Sequence, residues 1–495
     1  MSYDHGDYLD GQFVECAKPD AELRLVSPAD TNDVVGTYGI QLSHVDRAVD
    51  AARKAQRAWW RLGEEKRRAC LLAYQARVRA HTESIARTIA REVGKPLWDA
   101  RNEVLSMANK VDLSLGEGAR FTRNEVLANL PGEIRFRPHG VVAVVGPFNF
   151  PGHLPNGQIV PALLLGNSVV FKPSDKAPGT AVWIARCVHE AGFPPGVFNV
   201  VQGGAATADA LVRHDDIDGI LFTGSLAVGK KIVAANLDRP GRIVALELGG
   251  KNASIVLDDC HLERTVREIA YSAFATSGQR CTASSRVIAT RGIADALSER
   301  LSKAAKNAVV GYPLDEGVFM GSLISETART NFLNAGRLAS QAGFETLVDG
   351  TAVDVAGHPG YYVRPAVRRA PTANAEAVGY TDVELFGPDL AIHVVDDVHA
   401  AVALANRTRF GLTSAVFTQS RDQFEAVADE LSVGVIHWNR SSAGASGRLP
   451  FGGIKDSGNH RPAGITAGAQ CAYPLAVYLA PSDDAPLPSW PGLAF

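Results

Sequence analysis

The segment ALELGGKNASIVLDDCHLERTVREIAYSAFATSGQRCTAS, Ala245 to Ser284, decides how the whole chain is read. It starts inside an apolar run, Ile243-Val244-Ala245-Leu246-Glu247-Leu248, whose composition predicts a buried strand. Another short apolar run at 254–257 follows, then a helical-looking segment, then the polar stretch Ser277-Gly278-Gln279-Arg280-Cys281-Thr282. Two reactive groups stand out, Glu247 and Cys281, 34 residues apart. A carboxylate within a buried strand is costly unless it is paired, protonated or used in chemistry. Gly249 and Gly250 follow it at once and are expected to turn the chain sharply. Cys281 adjoins Arg280 in loop-like surroundings, where a cation and backbone donors ease formation of the nucleophilic thiolate. Taken singly, such a cysteine is more often a small core residue, and such a glutamate more often half of an ion pair.

Outward from this segment the chain alternates. Strand-like runs at 141–145, 168–172, 198–201, 219–222, 243–246 and 254–257 are separated by helix-like segments at 180–191, 205–212 and 228–236. Strand, helix, strand in series predicts a parallel sheet covered on both faces, with ligands at the carboxyl ends of its strands. A second α/β series runs from about 285 to 439, so the expected fold class is α/β with the active site between two domains. Upstream, residues 44–116 carry helical periodicity, and their charged clusters are expected to be solvated helix faces. Residues 119–138 read as an antiparallel hairpin, and 472–479 as a strand available to a neighbouring subunit. The Pro-rich stretch 480–491 is the expected flexible segment.

Composition narrows the function. At 495 residues, 46% hydrophobic and 21% charged, with net charge −3, the chain has no electrostatic case for nucleic acid or anionic membrane. Its six cysteines are scattered without CxxC or Cys/His ligand spacing, so no metal site is expected and a reducing compartment is favoured. The acidic start, MSYDHGDYLDG, is not a signal peptide, and no apolar run is long enough to span a bilayer; a cytoplasmic location is expected.

Five further motifs bear on chemistry. Phe222-Thr223-Gly224-Ser225-Leu226-Ala227-Val228-Gly229 follows a strand and opens a helix, whose free N–H groups suit a phosphate. Phe171-Lys172-Pro173-Ser174-Asp175 ends another strand with a cation and an acid able to bond two ribose hydroxyls. Gly146-Pro147-Phe148-Asn149-Phe150-Pro151 offers the Asn149 amide as an oxyanion donor, or as a turn cap. Glu384-Leu385-Phe386-Gly387-Pro388 and Pro450-Phe451-Gly452-Gly453-Ile454-Lys455-Asp456-Ser457-Gly458 come later.

ELGGKN followed by GQRC, with these motifs in this order over residues 146–458, resembles the aldehyde dehydrogenase superfamily. The resemblance implies Cys281 as nucleophile, Glu247 as general base and Asn149 as oxyanion donor. It implies that Lys172, Asp175, Gly224, Ser225, Gly229, Glu384 and Phe386 hold a nicotinamide dinucleotide, NAD by the lean of the Asp175 carboxylate against a 2′-phosphate, with NADP possible. It further implies a Rossmann-like NAD-binding domain (1–118 and 139–248), a catalytic domain (249–445), and an oligomerisation element with a C-terminal arm (119–138 and 446–495). Both domains would be doubly wound, and the last motif would stand near the substrate side. A homodimer or homotetramer is expected.

Residues 150–157, 438–439 with 444–446, 457–462 and 471–474 are closer to the branch of that family acting on N-succinylglutamate 5-semialdehyde, and the chain departs from it at 283–285, 440–442 and 463–470. For so anionic a substrate, Arg448, His460 and Arg461 are the candidate contacts. Another aldehyde, such as glutamate semialdehyde or an aliphatic one, stays open, as do a CoA-acylating enzyme and a non-catalytic protein on this fold.

Overall fold

Val141–Val145, five consecutive β-branched or small apolar residues, form a fully buried strand at the heart of the first sheet. In a computed structural model describing residues 6–16, 18–128, 130–444, 446–479 and 489–493, this strand pairs in parallel with Ser168–Lys172 on one side and Gly219–Thr223 on the other. Phe198–Val200 and Ile243–Glu247 extend the sheet at either hand, also in parallel. The strand order therefore reverses at Val141–Val145, and a crevice opens at the carboxyl ends of it and of Gly219–Thr223. Two short antiparallel strands, Asp7–Leu9 and Gln12–Val14, finish the far edge, making seven.

The second sheet, also of seven strands, begins with Asn252–Val256, so the boundary between the sheets falls just after Glu247. Asn252–Val256 sits between Ser284–Thr290 and Thr413–Phe417, parallel to both. Asp389–Val395, Ala366–Arg369 and Val435–Trp438 continue in parallel, while Glu345–Val348 pairs antiparallel at one edge. The run at 254–257, read above as continuing the first series, thus starts the second.

Four helices, Ser43–Arg61, Glu64–Ala80, Thr82–Val93 and Leu97–Leu115, pack against the first sheet through Trp59, Leu71, Ile85, Ile89, Val104 and Met107. Their charges are not all solvated. Glu92, near the end of the third helix, and Lys95, just after it, are buried, as are Asp99, Glu103 and Lys110 on one face of the last helix, which turns toward the centre of the molecule. The helix His153–Leu164 carries Pro155 in its first turn, where a missing N–H costs nothing, and Pro161 within it.

Residues 119–122 belong to a short 3-10 turn, Glu117–Thr122, not to a strand; Glu125–Val126 is the short hairpin partner of Gly132–Pro138. The long partner of Gly132–Pro138 is Ala472–Tyr478 of the same chain, seven residues in antiparallel register, so that tail strand is used internally. The expected flexible stretch 480–491 lies largely outside the described residues. No helix among the described residues is long and apolar enough to cross a membrane.

Candidate active site

Two chambers meet beneath the junction of the sheets. The first, about 750 Å³, lies over the crevice of the first sheet; the second, about 260 Å³, lies between the helix Leu97–Leu115 and the loop carrying Cys281. Leu154, Thr223, Glu247 and Cys281 line both. The exposed rim of the first includes Ala205, Asp209 and Lys231, and that of the second Asn102, Ser446 and Gly447, so the chambers have separate mouths.

Glu247 ends its strand at the wall between them. It is 1% exposed and neither carboxylate oxygen has a hydrogen-bond partner among the described residues. Burial raises its pKa to about 8, with only the Gly453 N–H tempering the rise, through an approach too poor in geometry to count as a bond. A lone buried carboxylate of this kind can take up a proton near neutral pH.

Gly249 and Gly250 serve close approach, not the expected sharp turn; neither has a positive φ. A Cβ on Gly249 would stand 1.9 Å from Glu384 Oε2, and one on Gly250 2.9 Å from the Cys281 carbonyl oxygen. Glu384 Oε1 accepts from the Gly250 N–H at 2.9 Å, and burial lifts its pKa to about 7. Asn252 Nδ2 donates to the carbonyls of Cys281 (2.7 Å) and Ala283 (2.9 Å), which ties the two ends of the opening segment together.

The nucleophile loop is held in an unusual backbone. Thr276 and Ser277 are left-handed, at φ 56° and 55°. Thr276 Oγ1 donates to Asp99 Oδ2 at 2.6 Å, Ser277 Oγ to the Gly321 carbonyl at 2.9 Å, and Gln279 Oε1 accepts from the Ile324 N–H at 2.9 Å. Arg280 does not ionise the thiol as its position in sequence suggested. Its Nη2 donates to both oxygens of Asp99 at 3.0 and 2.9 Å, so its charge is already neutralised. Burial instead pushes the Cys281 thiol well up, with the Glu247 and Glu384 carboxylates adding to the rise. These surroundings favour the neutral thiol of Cys281 over its thiolate.

Asn149 is buried, lines the first chamber and donates from Nδ2 to the Gln279 carbonyl at 3.0 Å. An amide nitrogen carries two hydrogens, so one is left to point at an oxygen formed beside Cys281.

The expected dinucleotide residues gather around the first chamber, with one exception. Lys172, Asp175, Gly224, Ser225, Glu384 and Phe386 all line it. Lys172 is 5% exposed, its ammonium has no protein acceptor among the described residues, and burial lowers its pKa to about 8 despite Asp175. Ser225 caps the helix Leu226–Ala234, accepting from the Val228 N–H, and leaves the preceding N–H groups to a ligand. Phe386 meets Phe148 edge-on, with ring centroids 5.8 Å apart. Gly229 lies away from the chamber; a Cβ there would come within 2.9 Å of Leu248, so its work is to let helix and strand pack closely.

Arg448, His460 and Arg461 do not line the second chamber. Arg448 is exposed and paired with Glu117, while His460 and Arg461 sit exposed on a left-handed turn at φ 54° and 49° that carries them outward. The cations that do line it are Lys110 and Arg280. Sequence reading missed Asp99, Glu103 and Lys110; their spacing of four and seven places them on one helical face, a signal present in the sequence. The motif at 450–458 mostly braces the Glu247 strand: Ser457 Oγ donates to the Gly249 carbonyl at 2.7 Å, and the Leu248 N–H to the Ser457 carbonyl at 3.0 Å.

The sequence model of the Aldehyde dehydrogenase family matches residues 13–474. N-succinylglutamate 5-semialdehyde dehydrogenase of Enterobacter sp. (strain 638) is 39% identical over 460 residues, 92% of this chain and 91% of that protein. Among solved structures, an NAD-dependent aldehyde dehydrogenase from Sinorhizobium meliloti superposes with TM-score 0.92 at 31% identity, covering 97% of this chain and 95% of that one. A 1-pyrroline-5-carboxylate dehydrogenase from Thermus with bound NAD gives TM-score 0.88 at 29% identity, over 96% and 92%.

Proposed function

The chain belongs to the aldehyde dehydrogenase family, and on that premise we propose that it oxidises N-succinylglutamate 5-semialdehyde to N-succinylglutamate with NAD. The chemistry rests on Cys281 and Glu247 standing together on the wall shared by two chambers. The choice of substrate rests on likeness to the Enterobacter enzyme along nearly the whole chain.

The first chamber suits NAD: a buried, unpartnered lysine amine, an acid beside it and a helix start lie along one cavity. Lys172 and Asp175 would take ribose hydroxyls, Gly224 and Ser225 the pyrophosphate, Glu384 and Phe386 the nicotinamide end. When bound, NAD supplies a hydride acceptor.

Cys281 attacks the aldehyde carbon as its thiol proton passes to solvent water. Asn149 Nδ2 and the Cys281 N–H stabilise the oxyanion. Cys281 then carries the acyl group as a thioester, and Glu247 removes a proton from water as it attacks that carbon, freeing the acid and the thiol. Overall, aldehyde, water and NAD⁺ give acid, NADH and H⁺. A base placed for water favours hydrolysis over transfer to CoA.

The departures from the succinylglutamate branch at 283–285 and 440–442 are one coupled change. Ser284 and Ser442 meet at 3.1 Å, and both bond Ser272, in a buried hydroxyl cluster behind the Cys281 loop. Neither lines the substrate chamber, so of the three departures only 463–470 reaches its wall, through Ala463 and Gly464. The three-stranded sheet exposes Val126, Leu130, Tyr473 and Tyr478, an apolar surface for assembly into a homodimer or homotetramer.

Steady-state NADH formation tests the substrate. N-succinylglutamate 5-semialdehyde should exceed glutamate semialdehyde and an aliphatic aldehyde in kcat/KM by about 10³, on the order of 4 kcal/mol. A flat profile removes the substrate and leaves the dehydrogenase.

A further inference from the structure

The helix Leu97–Leu115 presents three buried charges to the second chamber, Asp99, Glu103 and Lys110. Two of them are answered from elsewhere in the protein. Asp99 is gripped by Arg280. Glu103 Oε2 accepts from Lys95 Nζ at 2.5 Å, while its Oε1 accepts from the N–H groups of Gly152 (2.9 Å) and His153 (3.0 Å). Lys110 is not answered. It is 6% exposed, and its only bond is from Nζ to the Gly464 carbonyl at 2.7 Å, with no carboxylate partner among the described residues.

A buried ammonium held by one neutral acceptor is an expensive arrangement, and its two unused N–H groups have no protein atom to satisfy them. Beside it on the same chamber wall stands His153, whose Nδ1 is buried without any partner. Burial and the cations Lys110 and Lys95 keep that imidazole neutral, with its pKa down to about 4. A neutral imidazole can donate from Nδ1 without adding a second charge. Cys471 is the other titratable group facing Lys110; its own burial holds it as a thiol, so it is no counter-ion.

We propose that Lys110, with His153 beside it, receives a carboxylate of the aldehyde substrate and makes this an enzyme for anionic semialdehydes. The proposal rests on the aldehyde-oxidising site described above, not on the succinyl group. A carboxylate would supply the missing counter-charge, accept from Lys110 and accept from His153 Nδ1, in charge-assisted bonds within a dry wall.

The experiment compares 5-oxopentanoate with pentanal, two aldehydes differing by one carboxylate, in the parent enzyme and in Lys110→Met. Their kcat/KM ratio should fall at least tenfold in Lys110→Met and be largely regained in Lys110→Arg. A smaller fall overturns the assignment. If Lys110→Met does not fold, the parent enzyme alone decides. Burial lowers the Lys110 pKa to about 8, so the ratio, from which the titrations of Cys281 and Glu247 cancel, must drop as pH rises from 7 to 9. A pH-independent ratio overturns it. A parent enzyme that prefers 5-oxopentanoate but ignores the succinyl group removes the proposed substrate and keeps Lys110. A succinyl preference that survives Lys110→Met does the reverse.

Discussion

Arg280 closes on Asp99 with one guanidinium nitrogen 3.0 and 2.9 Å from the two carboxylate oxygens, one residue before the nucleophile. Both side chains are buried, and Arg280 Nε also donates to Thr276 Oγ1 at 2.8 Å, in the left-handed stretch. This pair fixes where Cys281 stands and removes the cation that would otherwise ionise it.

Asp99→Asn leaves the Arg280 charge buried without a counter-ion. Breaking a pair of this kind costs roughly 3–5 kcal/mol. Urea unfolding of the variant should show a loss of that order. A change below about 1 kcal/mol would mean that solvent reaches Arg280.

Cys281→Ala should abolish aldehyde oxidation and leave NAD affinity, read by fluorescence titration, close to that of the parent. In the parent enzyme without ligands, iodoacetamide should label Cys281 slowly at pH 7 and steadily faster up to pH 9, since burial and two carboxylates raise its pKa. Labelling already at a plateau at pH 7 would contradict the neutral thiol.

Glu247→Gln should keep the first-turnover burst of NADH and slow the steady state, because only hydrolysis of the thioester requires the base. Stability gives an independent check. The pKa of Glu247 rises from an ordinary 4.5 to about 8 on folding, so the folded state binds more protons over that interval. Stability therefore falls as pH rises from 4.5 through 8. Glu247→Gln should be the more stable protein at pH 8, by on the order of a few kcal/mol, with the advantage fading toward pH 4.5. Parallel stability curves would refute the buried, unpaired carboxylate.

Asp175→Ala should narrow the preference for NAD over NADP by about tenfold, on the order of 1.4 kcal/mol, since it removes the charge that repels a 2′-phosphate. An NAD preference left unchanged in Asp175→Ala would assign that discrimination elsewhere.

Gly249→Ala forces a methyl into the Glu384 carboxylate, against a distance of 1.9 Å. Glu384 must leave the Gly250 N–H, and the Michaelis constant for NAD should rise at least tenfold. An unchanged value would separate Glu384 from the nucleotide.

Much of this architecture was legible in the chain. The buried strands at 141–145 and 168–172 announce themselves through short valine-rich apolar runs, and Val398–Asn406 through a helical pattern between strands. The helix His153–Leu164 was not legible, because Pro161 within it argues against one and only packing permits it. The 3-10 turn Glu117–Thr122 imitates a strand, since Arg120, Phe121 and Thr122 alternate over too few residues to separate the two periods. Of the site, most motif residues gather around the two chambers, while Gly229 lies away from them and the 450–458 motif mostly braces a strand. What escaped was partnership across long intervals. Nothing near Arg280 in sequence points to Asp99, and nothing near Arg448 points to Glu117, so one cation was assigned to the thiol and the other to the substrate.

The separate mouths of the two chambers bear on traffic. In the proposed reaction, nucleotide and aldehyde reach Cys281 through different doorways, one rimmed by Asp209 and Lys231, the other by Asn102 and Gly447. Neither reactant stands in the other's corridor. Any compulsory order of arrival or departure in this enzyme must therefore originate at the wall they share, in the posture of Cys281 and Glu247, and not in one guest blocking the exit of the other.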